Sequence, residues 1–210
     1  MPRRSAGSVP SDLFDLVVKN ALDFLKQSVR ELRKRPKYSV IDFCSALELL
    51  LKARLMLEHW ALIISRPESA SLVKFQAGDF RSVTMDDAIE RLRNVGGEPI
   101  SRDEETSFRG LREHRNKLVH FFHEQYVKAP PDEQAIQEVV SEQCRAWFYL
   151  HRLLVGRWAR HFRKYAAEIR RINAKMEANR VYLRAKYEAT SPEIEKDIAG
   201  GTEYARCVSC

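Results

Sequence analysis

Val40-Ile41-Asp42-Phe43-Cys44-Ser45-Ala46-Leu47-Glu48-Leu49-Leu50-Leu51-Lys52-Ala53-Arg54-Leu55 is the stretch on which the fold class turns. Val40, Phe43, Leu47, Leu50, Leu51 and Leu55 recur at three- and four-residue steps, and Trp60 and Ile63 continue the pattern. The apolar band is wide enough to surround a helix from about Tyr38 to Ile64, roughly 40 Å long at 1.5 Å per residue and central to a core. Asp42, Glu48, Lys52, Arg54 and Glu58 interrupt it too often for a membrane span.

Upstream, Ser11 and Asp12 can cap a helix through Leu13, Leu16, Val17, Ala21, Phe24, Leu25, Val29 and Leu32, with Pro36 ending it. Downstream, Arg66 to Val83 lacks a helical period and is expected as an ordered loop held by Leu72, Phe75 and Phe80. Thr84 with Asp87, and Ser101 with Glu104, have capping-box spacing. They open a short helix stopping at Gly96-Gly97 and a fourth helix running through Phe108, Leu111, Leu118, Val119 and Phe122 to Pro130-Pro131. The eight glycines and eight prolines lie mostly between these segments. The fold class is therefore all-α, an up-and-down helical bundle, and 210 residues bury one good core.

From Asp132 helical character runs almost without pause to about Glu188. Trp158, Phe162, Tyr165, Ile169, Ile172, Met176, Asn179 and Leu183 follow alternating four- and three-residue steps, the pattern of a seam between helices with Asn179 as its polar position. Two readings stay open: a long basic C-terminal helix or coiled-coil arm, or a break near Gly156 with the remainder folded back. The expected organisation is a disordered N-terminus over 1–10, a helical domain over 11–160, a basic helical arm over 161–190 and a flexible tail over 191–210. Ser191-Pro192 ends the helical stretch in this reading.

Thirty-six Lys and Arg against twenty-nine Asp and Glu give a net charge of +7. Between Arg145 and Tyr187 twelve basic residues face two acidic ones, Glu168 and Glu177, so the remainder of the chain is net acidic. A basic stripe on one helix suits a phosphate backbone, and Arg157, Arg160, Arg163, Lys164, Arg170 and Arg171 are the candidate RNA contacts. Met1 to Ser11 has no apolar segment behind its two arginines and does not read as a secretory signal, so the expected location is cytoplasmic. Cys44 and Cys144 read as buried apolar residues, whereas Cys207 and Cys210 have the spacing of half a structural zinc site. Its other half would come from a second cysteine pair or a second chain; otherwise the tail is unstructured.

The residues with chemistry are Glu113-His114-Arg115-Asn116-Lys117-Leu118-Val119-His120-Phe121-Phe122-His123-Glu124. Asn116 and His120 share a helix face, Arg115 lies one step round within reach of the same space, and Leu118, Val119 and Phe122 cover the core side. Arg115-Asn116-Lys117-Leu118-Val119-His120 resembles the signature of the HEPN superfamily: arginine, a polar residue, a short gap and histidine. The resemblance spans roughly Ser11 to Arg160. It implies a HEPN-like bundle and a metal-independent endoribonuclease that works as a homodimer, with no cofactor for catalysis. It also implies catalytic roles for Arg115 and His120, Asn116 orienting them or the phosphate, Lys117 adding charge, and Glu48 as a supporting acid; by spacing alone Glu48 reads instead as an exposed ion-pair partner of Lys52, four residues on.

The residue types suit that chemistry. An imidazole can take the proton from the ribose 2′-OH, and a guanidinium can neutralise the phosphate. Such proteins serve as toxins, antiviral effectors or RNA-processing factors; the first two are the expectation for a small cytoplasmic chain, so an antitoxin or sensor protein is an expected partner beside RNA. Family members controlled by nucleotidylation carry tyrosine two residues after the histidine; Phe122 stands there instead. The alternatives are a catalytically inactive dimeric scaffold or RNA-binding module, a coiled-coil adaptor in which the motif is only structural, and a metal site built from His114, His120, His123 and Glu124.

Overall fold

A computed structural model describes residues 11–120 and 133–205, and within them every extended regular element is helical. Helix α1 spans Ser11–Glu31 and α2 Pro36–Met56, followed by 3₁₀ turns at Trp60–Ile63 and Pro67–Ser69. Next come α3 (Leu72–Ala77), α4 (Met85–Asn94), α5 (Arg102–His120) and α6 (Glu133–Val155). The chain closes with α7 (Ala159–Phe162), a 3₁₀ turn at Arg163–Tyr165, α8 (Ala166–Glu177) and α9 (Arg180–Ala199). No helix among the described residues is long and apolar enough to cross a membrane.

Helix α2 sits at the centre, packed against α1, α4, α5 and α6. Its buried residues run all round the cylinder, from Ser39 to Met56. Pro36 opens this helix at its first turn, where a missing N–H costs nothing, instead of merely ending α1. The helix stops at Met56, eight residues short of the expected end, and so spans about 31 Å. Trp60 and Ile63 are buried as the periodicity implies, but from a 3₁₀ turn capped by His59, whose Nδ1 accepts from the Ala61 N–H at 3.1 Å.

The segment expected as a plain loop carries α3, capped by Ser71 and closed by Gly78 at φ 72°, a left-handed conformation that a side chain would strain. Phe75 anchors it while Leu72 is exposed. A single bridge, Ile64 to Ser82, draws its ends together. Both capping boxes form. Thr84 Oγ1 accepts from Asp87 N at 3.2 Å, and Glu104 Oε2 accepts from Ser101 N at 2.7 Å.

The C-terminal third corrects the arm expected over 161–190. The chain reverses after Val155, Trp158 is fully buried, and Phe162, Tyr165, Ile169, Ile172, Met176, Tyr182 and Ala185 join the same core as α1 and α2. Apart from Leu183, which is exposed, the four-three seam is therefore buried against the protein's own helices: α8 lies on α1, and α9 on α6. Asn179 is not a register-setting seam position. It caps α9, its Oδ1 accepting from Val181 N at 3.0 Å. Nor does Ser191-Pro192 end the helix, since Pro192 lies inside α9, which continues to Ala199.

One polar junction holds this fold-back. Asn173 Oδ1 on α8 accepts from Trp147 Nε1 on α6 and from Tyr182 OH on α9, both at 3.1 Å. Asn173→Ala strands both donors, so it should cost about 2 kcal/mol and lower Tm by roughly 4–8 °C in thermal denaturation. A change under about 1 °C would mean that the junction does not hold the C-terminal helices in place.

Candidate active site

The motif occupies the last turn and a half of α5. On an ideal helix Arg115 lies in the row of Leu111 and Leu118, four residues before and three after it, and both are buried. Arg115 is accordingly half-buried against α2, where its Nη2 meets Glu48 Oε2 at 3.5 Å. Glu48 Oε1 receives Lys52 Nζ at 2.5 Å, and Lys52 Nζ also donates to Ser82 Oγ at 2.8 Å. Glu48 thus sits between the motif arginine and a lysine whose side chain is 8% exposed. Each of its oxygens meets one of the two cations, and the cluster of three keeps one net positive charge.

His120 is the last residue of α5 and is exposed; Asn116, one turn earlier on the same face, is half-buried. His120 lies five positions after Arg115, about 140° around an ideal helix. Among the described residues no hydrogen bond joins the two. The expectation that Arg115 reaches the same space as His120 is therefore replaced by a guanidinium turned towards Glu48 and an imidazole turned towards solvent. Val119, expected on the core side, is 49% exposed. It stands one step beyond Leu118, off the buried row. Lys117 is exposed with no ion pair among the described residues. Phe122, His123 and Glu124 lie outside the described residues, as do Cys207 and Cys210.

Cys44 lies beneath the arginine, its Sγ 3.6 Å from the Leu111 carbonyl. Burial pushes its thiol up to about 12, outweighing the opposing pull of the Arg115 charge, so it stays protonated and supplies packing, not a nucleophile. His114 faces the other flank of α5, with Nε2 2.9 Å from Glu142 Oε2 on α6. It is not gathered with His120. No group of three or more metal-ligating side chains occurs among the described residues.

The basic stripe is divided. Arg145 pairs with Glu188 and Arg152 with Glu193, both partners on α9, while Lys186 pairs with Glu177 and Arg184 with Glu188. Arg157 reaches Glu104 at 2.6 Å and the Pro99 carbonyl, and Lys164 pairs with Asp15. Apart from Arg184, whose partner lies one turn on in α9 itself, these cations join one helix or turn to another. Arg160 contacts His161, while Arg163, Arg170 and Arg171 are exposed without ion-pair partners among the described residues. The pairs His114–Glu142 and Arg157–Glu104 set α5 antiparallel to α6. His120 is then level with the start of α6 and the free arginines with its end, roughly 25 Å apart along the axis. The motif and the arginines do not form one continuous surface around a single point.

Comparison with protein-family models, with curated proteins and with solved structures found no match to this chain. Spacing offers Lys52 as the i,i+4 partner of Glu48, and that pair forms, but buried instead of exposed; Ser82, which meets Lys52 from the bridge segment, and Cys44, which lies under Arg115, are tied to the site by no spacing signal. Only the Leu111-Arg115-Leu118 row hinted that the guanidinium faces inward.

Stability separates these roles. Glu48→Ala leaves the buried Lys52 ammonium with only a hydroxyl partner and should cost about 2 kcal/mol. Arg115→Ala should cost under about 1 kcal/mol and His120→Ala nearly nothing. Urea denaturation checks the order. An Arg115→Ala loss larger than that of Glu48→Ala would make the arginine the structural partner.

Proposed function

We propose that this chain is a metal-independent endoribonuclease of HEPN type acting as a homodimer, with RNA bound across two copies of the α5 motif. The observation that carries the reading is an exposed imidazole and its neighbouring amide at the end of α5, on the same turn and a half as a half-buried arginine held by Glu48. In this reading the RNA phosphate draws Arg115 from Glu48. Lys52 stays on Glu48 at 2.5 Å, so the departing guanidinium leaves no unpaired carboxylate behind. The longer 3.5 Å contact is the one to yield.

His120 takes the proton from the 2′-OH, O2′ forms a bond to phosphorus, and the bond from phosphorus to O5′ breaks. The departing O5′ receives its proton from the second copy's imidazole. The products are a 2′,3′-cyclic phosphate and a 5′-hydroxyl. A dimer also answers the divergence of Arg115 and His120 within one chain, because an arginine from one copy can face a histidine from the other. Asn116 would orient the phosphate, and Lys117, with no ion pair among the described residues, would add charge beside it. A toxin or antiviral role, with a protein that restrains it, suits such an activity.

A second reading draws on the same contact. A guanidinium held by Glu48 is also what a binding module or inactive dimeric scaffold would keep, with Arg115 as a structural partner. Activity distinguishes the two. Purified protein should cut single-stranded RNA in EDTA and leave DNA of the same sequence intact. His120→Ala and Arg115→Ala should each lower the rate by about a hundredfold or more. Uncut RNA bound equally by all three proteins would favour the module.

A further inference from the structure

At the end of α6 opposite the motif lies an open groove of about 690 Å³. Its walls are the last turn of α6 and the length of α8, and the accessible apolar surface between them comes from Val155, Ala159 and Ala166, which lie over the buried Leu154, Phe162 and Ile169. From Ala166 to Glu177 it runs for about 16 Å, three helical turns. Arg160, Arg163 and Arg170 stand exposed on its rim, and the last two have no ion-pair partner among the described residues. The carboxylate at one end, Glu177, is already paired with Lys186 at 3.1 Å. The groove therefore carries unanswered positive charge above an apolar bed.

We propose that this groove docks an acidic amphipathic helix from a partner protein. A three-turn trough between helices accepts the ridge of one more helix, with apolar side chains at i, i+3 or i+4 and i+7 on the floor. Carboxylates flanking that stripe would meet Arg160, Arg163 and Arg170 on the rim. An unstacked nucleic-acid base fits less well. Phe162 is 1% exposed, so its ring gives no stacking face. The inference does not depend on cleavage by His120, which lies roughly 25 Å away along α6.

The test uses the full chain, labelled with ¹⁵N, and a synthetic 16-residue peptide with leucines at i, i+4, i+7 and i+11 flanked by glutamates. This peptide should shift amides near Val155, Arg163 and Arg170. It should bind at least about tenfold more tightly than a version with serine for leucine or with lysine for glutamate. The double substitution Arg163→Glu with Arg170→Glu should weaken binding by about tenfold or more, and so should Val155→Asp. All three positions are exposed, so unchanged near-ultraviolet dichroism is expected for both variants. His120→Ala should bind the peptide like the parent chain. Three results would overturn the proposal: equal binding of the serine peptide, shifts outside the groove, or groove shifts produced only by a uridine oligonucleotide.

Discussion

Charge buried inside the central helix is the constraint around which this protein is arranged. Helix α2 is enclosed by four other helices, yet Lys52 and Arg54 lie within it with side chains 8% and 1% exposed. An unpaired charge there would be prohibitive, so each cation draws partners from elsewhere. Lys52 takes Glu48 and Ser82; Arg54 takes Glu58 at 2.7 Å and Glu98 at 3.1 Å. Those demands tie the bridge segment and the turn before α5 to the core. They also leave Glu48 with a second oxygen for Arg115, so the orientation of the motif arginine follows from the electrostatics of α2.

The same logic separates the two ends of the molecule. At one end a cation is held by a carboxylate next to an exposed histidine; at the other, arginines stand free above an apolar trough. Between them, Arg145 and Arg152 fasten α9 to α6, and Arg157 fastens the α6–α7 turn to α5. Basic residues that look alike in sequence thus do two jobs: holding helices together, and leaving surface charge for a partner to answer.

Local signals were legible in the sequence. Thr84 and Ser101 announced their helices because a cap needs only a few neighbouring residues, and the apolar period of α1 and α2 marked their buried faces. Interactions at a distance were not. Periodicity through Trp60 and Ile63 does not distinguish a longer helix from a 3₁₀ turn that buries the same side chains. A four-three seam from Trp158 to Met176 reads alike whether it meets a second coil or its own α1. Asn179 looks polar in either case, and only the backbone break makes it a cap. At the site, Glu48 came into view through the family resemblance, while the inward turn of Arg115 depended on which row of α5 faces α2.

The measurement that tests the central claim most directly is the chemistry of the cut ends. RNA incubated with the protein in EDTA, with fragment termini identified by mass spectrometry, should carry 2′,3′-cyclic phosphate on one side of each cut and 5′-hydroxyl on the other. Fragments bearing 5′-phosphate, or cutting that appears only when a divalent metal is restored, would contradict the account.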